Sequence, residues 1–181
     1  MSELWKYIET QINVVPQKIY EGLLILFCLV TPLLVIVGRK KASYIIAGLF
    51  LLEYVFFVLG MTVLYRHWGL VKIYPSPFWS CVSIVRDGNM TILYETVLNV
   101  VLFMPIGLLW CFLTSKWTRK WQWLSVTLIG VGLSVIIEFL QYYLERGCVE
   151  TDDVIHNTLG CLLGFMVWKG VYKMVMLTKQ K

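Results

Sequence analysis

Residues 138–164 read EFLQYYLERGCVETDDVIHNTLGCLLG. Two pieces of membrane helix meet here across a short acidic loop. Glu138 and Gln141 close one apolar run, and Asp152, Asp153 and Asn157 stand at the start of the next. Ionisable side chains beside or within hydrocarbon are costly, so they mark either a functional site or a tightly packed polar contact.

Composition sets the solvent. Of 181 residues, 59% are hydrophobic and 15% charged, with a mean hydropathy of +0.73. A soluble domain is nearer half apolar and about a quarter charged. Several apolar runs approach the ~20 residues that cross a bilayer, and they are continuous rather than alternating, which argues against a β-barrel. The expected class is an all-α integral membrane protein. The net charge of +5 does not point to nucleic acid, because the basic residues gather in loops where they set orientation.

The expected spans are about 19–37, 43–64, 92–112, 124–144 and 154–176, forming one transmembrane domain over 19–181. Residues 1–18 carry Leu4, Trp5, Ile8, Ile12 and Val15 at mostly helical spacing, as an amphipathic interfacial helix does. The first apolar run follows Pro16 without a basic leader, so no cleavable signal is expected. Basic residues cluster at Arg39/Lys40/Lys41, Lys116/Arg119/Lys120 and Lys169/Lys173/Lys179/Lys181. Five spans put all three clusters on one side, which the positive-inside rule makes the cytoplasm, with the N-terminus outside.

Helical spacing then groups the polar residues. Gly130, Ser134, Glu138 and Gln141 share a stripe on the fourth span; Asp153, Asn157, Gly160 and Gly164 share one on the fifth; Glu95 and Asn99 are neighbours on the third. That topology puts Glu95, Asn99, Glu138, Gln141, Asp153 and Asn157 within about two turns of the outer boundary, at ~1.5 Å rise per residue. The binding residues expected at this level are these six and Asp152. Each also has a simpler reading. Gly160 and Gly164 form a GxxxG packing pair, Gln141 and Asn157 suit interhelical hydrogen bonds, and Asp152 and Asp153 suit a helix N-terminus. Pro105, just below Asn99, is expected to kink the third span. Glu53, near the middle of the second, is either a structural hydrogen-bond donor or a floor to the outer site.

The chemistry stays open. There is no GxSxG, HExxH or phosphate-binding Gly-rich loop. His67 and His156 are isolated, although His156 adjoins Asn157 and suits a base. Acids and amides near a membrane surface suit a divalent cation such as Mg²⁺ or Ca²⁺, and equally hydrogen bonds to sugar or peptide groups. Arg66, Arg86 and Arg146 face the same side and suit lipid phosphates. The five cysteines lack zinc spacing. Cys81 and Cys148 both fall in outward loops, where a bridge and two free thiols are both open.

Taken together the motifs resemble those of VanZ-like membrane proteins. NVVLFMPIG at Asn99–Gly107 resembles N-x-x-LF-x-P-x-G, Glu138 and Gln141 match E-x-x-Q, and DDVIHNTLGCLLG at Asp152–Gly164 matches DD-x-x-x-NT-x-G-x-x-x-G. PFWS at Pro77–Ser80 and Glu95 are similar as well. One departure is the longer spacing from Arg146 to Asp152, with Val149 and Glu150 in place of a cleaner acidic position. The resemblance implies a role in resistance to teicoplanin and related lipoglycopeptides, through a polar site at the outer leaflet. Its partners would be membrane lipids, a lipid-linked cell-wall precursor or the antibiotic. Two other classes remain: a membrane-embedded enzyme altering a lipid or polyprenyl head group with Glu138 or Asp153 as base, and a structural or partner-binding subunit.

Overall fold

The computed structural model describes residues 40–64, 66, 69 and 72–178. The expected amphipathic helix at 1–18 and first span at 19–37 lie outside them, as does His67. The chain divides into two compact units, Met1–Tyr65 and Arg66–Lys181.

In the first unit, α1 spans Lys40–Leu59 and widens into a π turn over Gly60–Leu64. Ile45, Leu49, Leu52 and Phe56 are exposed at helical spacing, an apolar stripe suited to lipid. Glu53 is also exposed. The Thr62 hydroxyl donates to the Val58 carbonyl at 2.8 Å, satisfying a backbone acceptor where the helical ladder changes step.

The second unit contains β1 (Lys72–Tyr74), α2 (Trp79–Asp87), α3 (Met90–Leu113), α4 (Arg119–Tyr143), β2 (Cys148–Glu150) and α5 (Thr151–Thr178). Three segments among the described residues, Lys41–Leu64, Met90–Leu113 and Arg119–Tyr143, are long and apolar enough to cross a membrane. That is fewer than the five expected. The missing first lies outside the described residues, and at the fifth stands the 28-residue α5.

Helix α5 is the axis of this unit. It packs along α3 and, less extensively, along α4, whereas α3 and α4 touch each other little. Small residues make the approach possible. A methyl group on Gly160 would collide with the Val100 carbonyl oxygen, one on Gly164 with that of Met104, and one on Gly107 with that of Cys161. The GxxxG pair is thus a backbone-to-backbone seam. Pro105 lies within α3 beside it, and the helix continues through to Leu113. On α4 the stripe Gln122, Val126, Gly130, Ser134, Ile137, Glu138 and Gln141 is buried. Gln122 ties the far end of the bundle. Its amide nitrogen donates to the Thr114 carbonyl at 2.7 Å, and its amide oxygen accepts from Lys169 at 2.5 Å.

The segment expected as one long loop after the second span is instead built. β1 pairs in parallel with β2, Lys72 against Cys148 and Tyr74 against Glu150. Three-residue strands are too short to show alternation, and partners more than 70 residues apart leave no local trace.

If the seam sets the helix separation, Gly164→Ala must push α3 and α5 apart, at a cost of about 1–3 kcal/mol. Gly132→Ala, on a face with nothing within 4 Å, is expected to be neutral or slightly stabilising. Thermal unfolding in detergent compares the two. Equal melting temperatures would remove the seam from the account.

Candidate functional site: a polar pocket at the head of the bundle

Asp152 and Asp153 begin α5 and take opposite duties. Asp152 is 1% exposed and turns towards α2. One carboxylate oxygen accepts from the backbone N–H of Ser80 at 2.8 Å and from its hydroxyl; the other accepts from the Phe78 N–H. α2 needs this. Phe78 sits at its N-cap with φ 64° and makes no side-chain cap, so free N–H groups at the helix start fall to an acid from elsewhere in the chain. Thr151 adds a bond to the Pro75 carbonyl at 3.1 Å. Asp152 thus bonds to the start of α2, whereas the expected capping was of the start of its own helix.

Asp153 turns the other way and accepts from the Asn99 amide at 2.7 Å, joining α5 to α3. Beside this pair lies a polar pocket lined by Arg66, Ser80, Ile92, Glu95, Thr96, Asn99, Glu150, Asp153 and His156. The lining follows helix periodicity. Ile92, Glu95, Thr96 and Asn99 form one stripe on α3, while Asp153 and His156 are one turn apart on α5. Gly147 shapes the approach of Arg66. It adopts φ 76°, and a Cβ there would come within 2.9 Å of the Arg66 Cδ, so the arginine side chain crosses the loop where that loop has no side chain.

Glu138 lies behind the pocket. It is 8% exposed, and Oε2 accepts from the Glu150 N–H at 2.7 Å, holding the end of β2 against α4. Its Oε1 is buried with no hydrogen-bond partner among the described residues. Asn157 donates to the Ser134 hydroxyl at 2.8 Å, a contact between α5 and α4, and its Oδ1 is likewise buried and unpartnered. Gln141 is buried on the same stripe, and its carbonyl accepts from the Arg146 N–H at 2.9 Å. None of Glu138, Gln141, Asn157 and Arg146 lines the pocket. Arg86 is exposed in the last turn of α2, away from it. Cys81 and Cys148 are both free thiols.

Electrostatics make the site strained in charge. Arg66 lies within Coulombic reach of Glu138, Glu150 and Asp153, and Glu95 acts on the last two. Burial pushes the Glu150 carboxyl up to about 7, reinforced by Asp153 and Glu95 and opposed by Arg66. Such a group changes charge near neutrality. Among the described residues no group of three or more His, Cys, Asp or Glu side chains stands in metal-holding geometry; the acids are dispersed around an arginine instead.

The pocket lining also includes His156, Glu150 and Ser80, which stood outside the expected binding set. His156 was legible as the residue one turn after Asp153, and Ser80 from the PFWS motif. Glu150 enters through β2, which has no sequence signal.

These features define a class: a helical membrane protein with a polar pocket at one end of a glycine-seamed helix pair. The sequence matches the VanZ/LLP1 family over residues 7–174, and the chain belongs to that family. No curated protein and no solved structure matches it.

Two measurements separate the roles. Asp152→Ala removes every carboxylate bond to the start of α2 and should cost about 2–3 kcal/mol or more, read as a lower melting temperature and proteolysis near residues 75–87. A full-stability variant would refute the cap. For Glu150 the folded-state value lies above that of the unfolded chain, so its ionisation opposes folding. Stability is therefore expected to fall as pH rises from about 4.5 to about 7. Glu150→Gln should flatten that slope, and an unchanged melting profile across the window would count against the assignment.

Proposed function

We propose that this chain lowers susceptibility to lipoglycopeptides by engaging a polar head group at the outer leaflet, on a lipid-linked wall precursor or on the antibiotic itself. In this reading the protein crosses the cell membrane five times, N-terminus outside and C-terminus in the cytoplasm. The three basic clusters then fall inside and the pocket outside. Family membership supports the resistance role. The observation that carries the binding role is the meeting of Arg66 with Glu95, Glu150 and Asp153 around one pocket. A guanidinium offers a planar fork to phosphate or carboxylate, and the acids beside it accept from hydroxyl, amide or amine groups. A wall precursor presents both kinds of group close together.

A second reading is catalysis on such a head group. It is favoured by one contact, His156 in the same pocket as Asp153 and Glu150, since an imidazole beside carboxylates is suited to proton transfer. Lipid mass spectrometry of cells overproducing the protein distinguishes the two, because catalysis requires an altered lipid and binding does not.

The test of the binding site uses Arg66→Gln and Asp153→Asn, with Lys173→Gln, exposed towards the far end of α5 and outside the pocket lining, as an off-site control. Losing one charge-assisted hydrogen bond removes about 1.5–3 kcal/mol, or roughly tenfold or more in affinity. Arg66→Gln and Asp153→Asn should therefore restore teicoplanin sensitivity at equal membrane abundance, and Lys173→Gln should not. Full resistance in the first two variants, with normal insertion, would end the proposal.

A further inference from the structure

Helix α2 has its polarity inside out. Ser80, Ser83 and Ile84 lie on its inner side, with Ser80 2% exposed and bound to Asp152. Its outer side is apolar. Phe78 just before the helix and Val82 and Val85 within it are exposed, Val85 to 86%, and Cys81 is exposed between them. At about 100° per residue, positions 78, 81, 82 and 85 fall on one face, opposite 80, 83 and 84. A helix surrounded by water shows the reverse arrangement.

The position of α2 says what covers this face. Its first turn is tied by Asp152 to the first turn of α5. Its last turn passes through Gly88, at φ 63°, and Asn89 directly into α3, which is long and apolar enough to cross the membrane. Both ends are thus held at the heads of α3 and α5. Beyond the exposed Thr91, the large exposed residues that follow on α3, Met90, Val97 and Val101, are apolar too, so the apolar surface runs on along a membrane-length helix. Nine residues rise only about 14 Å, too short to span a bilayer. Arg86 stands exposed beside the apolar face, where a cation pairs with lipid phosphate.

We propose that α2 is an interfacial helix. Its Phe78, Cys81, Val82 and Val85 face docks on the lipid surface of the leaflet at the pocket end of the bundle, and Arg86 meets the head-group phosphates. Because Ser80 of α2 also lines the pocket, the docked helix places the pocket mouth against the head-group layer.

Cys81 supplies a native probe. The full chain in nanodiscs of phosphatidylglycerol and phosphatidylcholine is labelled with a charged maleimide or with neutral N-ethylmaleimide, and each site is followed by peptide mass mapping. Asp87→Cys, on the polar side of the same helix and exposed, serves as the aqueous reference. Lipid coverage predicts that Cys81 reacts on the order of tenfold more slowly than the reference with the charged reagent, and is much less protected from the neutral one, which partitions into lipid where a charged reagent does not. Val85→Asp should lift that protection. Equal reactivity of Cys81 and the reference towards the charged reagent would show the face in water. Equal protection from both reagents would show protein cover, by a second copy or by the N-terminal segment. Either result overturns the proposal, and neither depends on a resistance phenotype.

Discussion

The carboxylate of Asp152 holds the head of this protein together. Phe78 turns left-handed and leaves α2 uncapped, and the acid that takes its free N–H groups arrives from more than 70 residues away. A charge-assisted bond in a dry setting is stronger than its aqueous counterpart, and Asp152 is almost fully buried. The β1–β2 ladder and the bond from Thr151 to Pro75 run alongside. Three kinds of bond therefore hold the segment after α1 to the segment that begins α5. Without them neither Ser80 nor α2 has a defined place.

The second constraint is the closeness of α3 and α5. In lipid, helices gain little from burying apolar surface against each other, and close backbone packing takes over. Gly107, Gly160 and Gly164 provide it by leaving no side chain between the helices. The same seam brings Asn99 within bonding distance of Asp153. Packing and the site are linked here: the glycines set the separation and the amide–carboxylate pair reads it.

The pocket inherits its charge from this geometry. Glu95 comes from α3, Asp153 from α5, Glu150 from β2 and Arg66 from the chain before β1. Carboxylates crowded in partial burial raise one another's affinity for protons, and Arg66 offsets only part of that. Glu150 therefore changes charge near neutral pH, where an ordinary carboxyl is fully ionised.

Much of the architecture was legible in the chain itself. Apolar runs of bilayer length placed α1, α3 and α4, the GxxxG spacing marked the seam, and helical periodicity put Glu138, Gln141 and Ser134 on one buried stripe, because these patterns are local and repeat every turn. The same periodicity paired Glu95 with Asn99, whereas Asp153 joined them only through the depth that the expected topology assigned to it. What only the tertiary structure decided is how adjacent, chemically identical acids divide their work. Asp152 and Asp153 lie about 100° apart on one helix, so one faces α2 and the other faces α3. The short parallel strands, the partnering of Arg66 with the acids and the exclusion of Arg86 and Arg146 from the pocket belong to the same category. Each depends on contacts between residues far apart in sequence, and no local pattern records them.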